Sequence, residues 1–312
     1  TPKTTAAVLG EFSKTAMLVS LNVRAYGAQK EEKKVSRKVA ADNNADAGSG
    51  AYRKNLVPKE AMEPVVKAIS ALRTFHYENT LPWLDEGVRI LPSMNYEAYR
   101  AEMEGLRDAY DGAVRAFCNA WPEIVRQAQT SLGNLYNPAD YPADIASRFA
   151  CSVRFMPLSD AGDFRVAISD TERETLRAQI QGTLDSAQQS ATGDLYRRLG
   201  DAVKTMADRL RAYQVDPATG KTSGIFRDSL VENLRDLVAL VPRLNFTADP
   251  ELEAIRAEVE RELCQESAES LRDVSRSERR AEANEGARRD RRASVGGAPA
   301  THRGVYLRLP PA

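Results

Sequence analysis

The sequence predicts a mainly α-helical protein, with long antiparallel amphipathic helices of a bundle or coiled-coil-like kind and a small antiparallel β element of about three strands. Three observations carry that prediction. The first is an apolar stripe, Tyr96, Tyr99, Met103, Leu106, Tyr110, Ala113, Phe117 and Trp121, whose steps are all 3 or 4 residues. The second is a longer stripe running from Leu176 through Ile180, Leu184, Ala187, Ala191, Leu195, Leu199, Val203, Met206 and Leu210 to Tyr213. At 1.5 Å per residue that second stripe needs about 55 Å of helix. The third is a set of short β-type runs at 16–26, 149–157 and 163–168.

Taken in order, residues 16–26 (AMLVSLNVRAY) set Leu18, Ser20 and Asn22 against Val19, Leu21 and Val23, which predicts a strand with one buried face. Residues 28–54 can open as a helical turn but run into Asn, Asp, Gly and Ser, the chemistry of a mobile loop. Residues 59–77 are helical, with Met62, Val65 or Val66, Ile69, Leu72 and Phe75 or His76 on one face. Pro64 lies early, where proline is tolerated best. The stretch RTFHYENTLPWLDEGVRILP reads as an ordered, packed connection.

The helix of the first stripe spans 96–121. Pro122 is expected to break or kink it before a shorter helix to 132. Asn137-Pro138 is a cap followed by proline at the first helical position. FACSVRFMP and DFRVAI, joined by LSDAG, predict a hairpin that would complete a three-stranded sheet with the first strand. Ser169-Asp170-Thr171-Glu172 is a capping box opening the longest helix. Gly182, Gly193 and Gly200 lie inside that helix, each costing about 1 kcal/mol relative to alanine, so a break near Gly193 is the alternative. QVDPATGKTSG is a loop, and 226–241 is a further amphipathic helix. Asp249-Pro250-Glu251 opens the last helix, with Leu252, Ile255, Val259 and Leu263 on its apolar side. The apolar pattern then fades into a charged and Gly/Pro/Ala-rich tail, expected to be disordered. Three segments result: an α+β domain at 1–168, a long-helix region at 169–274 and a basic tail at 275–312.

The 312 residues hold 44 Lys and Arg against 44 Asp and Glu, which excludes a uniformly basic nucleic-acid coat. The balance is segregated. Residues 1–59 carry 11 basic and 5 acidic groups, 60–275 carry 24 and 35, and 276–312 carry 9 and 4. Two basic ends therefore flank an acidic middle. No apolar run approaches the roughly 20 residues that span a bilayer. TPKTTAAVLGEFSK lacks a long apolar core, so no signal peptide is expected. Cys118, Cys151 and Cys264 are scattered, which suits a reducing compartment, and the first two lie in apolar surroundings that predict buried packing. With His76 and His302 the only histidines, no zinc pattern exists and no metal is expected.

His76 beside Glu78 has the chemistry of a general acid or base, but no nucleophile is placed near it, so a hydrogen-bonded structural histidine is the expectation. Phe75, His76, Tyr77 and Trp83 form a packing or interaction segment. Gly220-Lys221-Thr222 is the tail of a phosphate loop without its first glycine, since position 215 is valine. No GxSxG, HExxH or paired-carboxylate motif is present, so no catalytic residue and no cofactor are assigned. The basic ends are candidates for nucleic-acid or other anion binding. They comprise Lys30, Lys33, Lys34, Arg37, Lys38, Arg53 and Lys54 near the start, flanked by Tyr26 and Tyr52, and Arg288, Arg289, Arg291 and Arg292 near the end. The competing reading is a solvated helix face, because Glu31, Glu32, Glu278, Glu282 and Glu285 are interleaved at pairing distances. A third reading is self-assembly, basic ends of one subunit meeting the acidic middle of the next.

In the order of its elements the chain resembles an uncharacterised family of tailed phages, prophages and proteobacterial mobile elements. The resemblance covers roughly residues 16–168. It lies in LNVRAYGAQKEEKKVSRKV, LVPKEAMEPVVKAISALRTFHYENTLPWLDEGVRILP, YEAYRAEMEGLRDAYDGAVRAFCNAWPEIV and SRFACSVRFMPL. Members are often encoded near a MoxR/CobS-like AAA+ ATPase and a von Willebrand A-type protein, and near replication or recombination genes. With the heptad-like stripes, the segregated charge and the lack of a catalytic motif, the family setting points to a non-enzymatic accessory protein, self-associating or acting as an adaptor of an AAA+ ATPase, in the bacterial host cytoplasm or the virion. The alternatives are a single-stranded nucleic-acid-binding protein and a structural virion component.

Overall fold

A computed structural model of the chain describes residues 12, 14–84, 87–158, 169–215, 219, 221–265, 267 and 271. These residues are mainly helical and carry a small antiparallel sheet. The central strand is β1 (Ala16–Arg24). A miniature hairpin follows, made of β2 (Gln29–Glu31) and β3 (Arg53–Asn55), and helix α1 (Lys33–Asp42) lies between its strands. Helix α2 spans Lys59–Glu78. Strands β4 (Leu81–Pro82) and β5 (Val88–Pro92) come next, then helix α3 (Tyr96–Leu132) and strand β6 (Ala150–Met156). The main sheet therefore has four strands in the order β4–β5–β1–β6, not three. The expected strand at 163–168 lies outside the described residues. Its place in the count is taken by β4 and β5, which the sequence hides inside a proline-flanked connection. Pro82 sits on the edge strand, where its missing N–H removes no bond from the interior of the ladder.

β1 runs antiparallel to both neighbours, with Val19 opposite Arg89 of β5 and Phe155 of β6. Its period of two sends Met17, Val19, Leu21 and Val23 to one core and Ala16 and Leu18 to a second. The expectation of a single buried face thus fails, because the later helices cover the other one. The first core is filled by Leu72 of α2 and by Tyr99, Tyr110, Phe117 and Trp121 of α3. The second brings Leu81 and Ile90 of the sheet against Leu195 of α4 (Asp170–Ala212), Val241 and Leu244 of α5 (Asp228–Leu244) and Leu252 of α6 (Pro250–Val259). Segments from both sides of residue 169 share this core. A third core joins Leu199 and Met206 of α4 to Leu234 of α5 and Val259 of α6.

The break expected at Pro122 does not occur, nor does the alternative break near Gly193. α3 continues through Pro122 to Leu132. A proline inside a helix costs about 3 kcal/mol, but Trp121, Ile124 and Ala128 keep the same face buried on both sides of it. α4 likewise passes Gly193 without interruption, held by Ala191 and Leu195, both nearly inaccessible. Its N-terminus carries the expected capping box, with Ser169 and Glu172 satisfying each other's backbone N–H groups. The loop expected after α4 contains a two-residue hairpin, β7 (Gln214–Val215) with β8 (Thr222–Ser223). Gly224 closes it at φ +78°, where a Cβ would stand 2.2 Å from the Ala212 carbonyl oxygen, so only glycine fits.

A polar clasp fixes α4 to the sheet side of the molecule. Arg198 donates to the carbonyl oxygens of Tyr77 (3.0 Å), Glu78 (2.7 Å) and Thr80 (2.7 Å), and its Nε meets Asp194 at 2.7 Å. A cation is thereby placed at the negative end of α2. Arg89 donates to the Thr80 hydroxyl and carbonyl and lies 4.7 Å above the Tyr77 ring.

Candidate nucleic-acid interface

Residues 28–54, expected as a mobile loop, are an ordered module in which α1 is carried on the β2–β3 hairpin. Only Ser36 and Ala40 of α1 are buried. At 3.6 residues per turn Lys33, Arg37, Lys34 and Lys38 then fall on one contiguous arc of about 140° on the outer side. All four are exposed, as is Arg53 of β3. The first turn of α1 holds no acidic residue and its last turn no basic one. This is the reverse of what stabilises a helix, because the cations crowd its positive end. The arrangement is therefore not explained by helix stability.

These five cations lie close together, and among the described residues none of them meets a carboxylate. Several cations of the longer helices, by contrast, are matched at i,i+3 or i,i+4. Lys67 meets Glu63 at 2.8 Å, Arg126 meets Glu123, Arg211 meets Asp208 at 2.9 Å, and Arg256 meets both Glu253 and Glu260. The pairing of α1 cations with Glu31 and Glu32 that would make this a neutral solvated face does not form. Glu32 turns instead to Lys54.

Two of the candidate cations are already engaged by carboxylates, Lys54 in the interior and Lys30 at the surface, which corrects their reading as free anion-binding residues. The Lys54 ammonium, with a side chain only 2% exposed, meets Asp140 Oδ2 at 3.0 Å and Glu32 Oε2 at 3.1 Å and donates to the Leu135 carbonyl at 2.7 Å. Lys30 meets Asp140 Oδ1 at 2.5 Å. Burial disfavours the Lys54 charge, but the hydrogen bonds to Asp140 and Glu32 prevail and raise its pKa above the ordinary value. Burial pushes the Asp140 carboxyl up, yet the hydrogen bonds from Lys30 and Lys54 hold it below the usual carboxylate range. Tyr26 is withdrawn too. Its ring packs edge-on against Trp121 and its hydroxyl donates to the Asp140 carbonyl at 2.5 Å. Burial raises its phenol to about 12. Tyr141 completes the anchor by donating to the Leu56 carbonyl at 3.0 Å. Asp140 is 110 residues from Lys30, and no spacing in the sequence announces it. The only local signal is the capped turn Asn137-Pro138-Ala139-Asp140, in which Asn137 accepts from the Ala139 N–H.

Tyr52 remains outside. It is 42% exposed, and its backbone N–H donates to Ser36 Oγ at 3.0 Å while its carbonyl accepts from the Glu32 N–H at 3.0 Å. The second basic cluster, Arg288, Arg289, Arg291 and Arg292, lies outside the described residues.

The interaction segment does not form one surface. His76 is 3% exposed and its Nδ1 lies 2.7 Å from the Tyr99 hydroxyl. Burial, with Arg89 nearby, lowers His76 to about 4, so it is neutral at physiological pH. Phe75 stacks on Tyr99, Trp83 packs against the second core, and Tyr77 alone is half-exposed. Cys118 and Cys151 are partly exposed at the margin of the first core rather than buried, and Cys264 is buried. Burial pushes all three thiols up, away from reactive thiolates. Among the described residues no group of three or more His, Cys, Asp or Glu side chains is placed to hold a metal ion, and no helix is long and apolar enough to cross a membrane. Comparison with protein-family models, with curated proteins and with solved structures yields no match.

Proposed function

We propose that the chain is an accessory protein of a phage or mobile element that binds nucleic acid electrostatically through the outer face of α1. The observation that carries this reading is the row of exposed cations, Lys33, Lys34, Arg37 and Lys38 with Arg53, which has no ionic partner among the described residues. The face is presented by a hairpin fixed to the body through Lys54, Lys30 and Asp140, so its charge is displayed at little further ordering cost. Fluorescence anisotropy with labelled oligonucleotides tests it. Five phosphate contacts predict a log–log salt slope of about −3 to −4 for a single strand. Absence of binding at about 50 mM salt, where such contacts are strong, overturns the reading.

Interaction with a protein partner, such as an AAA+ ATPase, is a second reading. Both long apolar stripes are buried within the chain, so its support comes from Val66 and Tyr77. Both are about half exposed and lie three turns apart on one side of α2. A salt-independent monomer in light scattering, with no partner in pull-downs, removes it.

A further inference from the structure

Resting on the nucleic-acid reading of α1, we propose that Tyr52 is a stacking platform for an unpaired base, which makes the site selective for single strands over duplex. Three features of the residue point this way. The residue is 42% exposed and its ring has no ring or cation partner among the described residues, whereas Tyr26, the other aromatic flanking the cluster, is packed on Trp121. Its backbone is pinned on both sides to the start of α1, through Ser36 Oγ and the Glu32 N–H, each at 3.0 Å. Ser36 Oγ in turn donates to the Glu32 carbonyl at 3.1 Å, closing the contact. The ring therefore leaves a fixed Cα beside the turn that bears Lys33 and Lys34, and its own chain neighbour is the exposed Arg53.

A tyrosine has only two side-chain torsions to fix, so a preset backbone leaves little entropy to lose on stacking. The partner is a nucleobase rather than a bare polyanion because the surroundings combine a π face with unpaired cations. Phosphates satisfy the cations but leave the ring wet. A base on a neighbouring nucleotide covers it. In a duplex the bases are already stacked on one another, so a tyrosine beside a basic helix gains nothing from them without unstacking the strand.

The test uses the full chain, a labelled oligo-dT, a hairpin duplex of equal length and heparin as a polyanion without bases. Wild type is expected to prefer oligo-dT to the duplex at matched salt. Tyr52→Ala is expected to weaken oligo-dT binding about tenfold while leaving heparin binding and the salt slope unchanged, and Tyr52→Phe to retain most of the affinity. Tyr52→Trp should show fluorescence quenching with oligo-dT and none with heparin. Equal oligo-dT affinity for wild type and Tyr52→Ala, or an equal loss toward heparin, overturns the stacking role and leaves the basic face standing. Binding of wild type to none of the probes overturns the nucleic-acid reading and this proposal together. Circular dichroism of each variant confirms that substitution at this exposed position leaves the fold intact.

Discussion

Helix α1 and helix α4 are attached to the same molecule by opposite means. α4 is held by an apolar stripe, Leu184, Ala187, Ala191, Leu195, Leu199, Val203 and Met206, all buried, and Arg173, Arg197, Arg198 and Arg211 on it are paired with Asp170, Asp194, Asp201 and Asp208. α1 buries only a serine and an alanine, leaves its cations without ionic partners among the described residues, and depends for its position on a charge cluster around Lys54 and Asp140. The difference separates stability from function. A helix whose long apolar stripe is buried is accounted for by folding. One that clusters four cations, two of them in its first turn, with no ion pair among the described residues is not, and the surplus charge is what an anionic ligand would meet.

The contrast breaks most sharply at Asp140. Asp140→Ala leaves Lys54 buried without its main counter-charge and is expected to destabilise the protein by about 3–5 kcal/mol, read as a shift in urea midpoint. An effect below about 1 kcal/mol would mean that the α1 module is not anchored by charge. On the other side, Leu195→Ala removes a side chain 1% exposed from the second core. It is expected to cost about 2–5 kcal/mol, without the dependence on salt or pH that the Asp140 cluster carries.

Acid sharpens the same division, because two buried groups titrate in separate windows. His76 has a folded pKa of about 4 against an ordinary 6.5, so between those values the unfolded chain binds the extra proton. Its contribution is complete above pH 6.5 and declines as pH falls toward 4, by on the order of 2 kcal/mol at pH 5. Asp140 is shifted down from its ordinary 3.8, so its contribution is present above 3.8 and is lost only as pH falls through the lower folded value. Urea denaturation across pH should show the first decline vanish in His76→Gln and persist in Asp140→Asn. If His76→Gln keeps the slope between 6.5 and 4, the histidine is not the group responsible.

The sequence made the long helices legible because their information is local and repetitive. A stripe such as Tyr99, Met103, Tyr110, Phe117 and Trp121 states its own period, and Ser169 with Glu172 states where a helix begins. What stayed hidden is non-local. Neither the break expected at Pro122 nor the alternative one near Gly193 forms, because burial on both sides outweighs a local penalty that the sequence displays alone. Strands β4 and β5 are too short to alternate, and they show themselves only by pairing with each other and with β1. The basic cluster was visible as composition, but which lysines face out depends on Asp140, 110 residues from Lys30, and on Glu32 choosing Lys54 over its helical neighbours.

The smallest expected effect on stability is the one that bears most on function. Reversing charge at Lys34 and Lys38 removes no buried contact, since both are exposed and unpaired among the described residues. It also relieves repulsion at the positive end of α1. The double Lys34→Glu, Lys38→Glu variant should therefore unfold within about 0.5 kcal/mol of wild type, or slightly later. Its oligonucleotide affinity should fall by an order of magnitude or more, with a shallower salt slope, because two neutralised phosphates become two repelled ones. A destabilised variant would show that the two lysines help to hold α1 in place, as arginines do on α4. A stable variant with unchanged binding would move the interface away from α1, and only a stable variant that has lost binding assigns the free charge to a ligand.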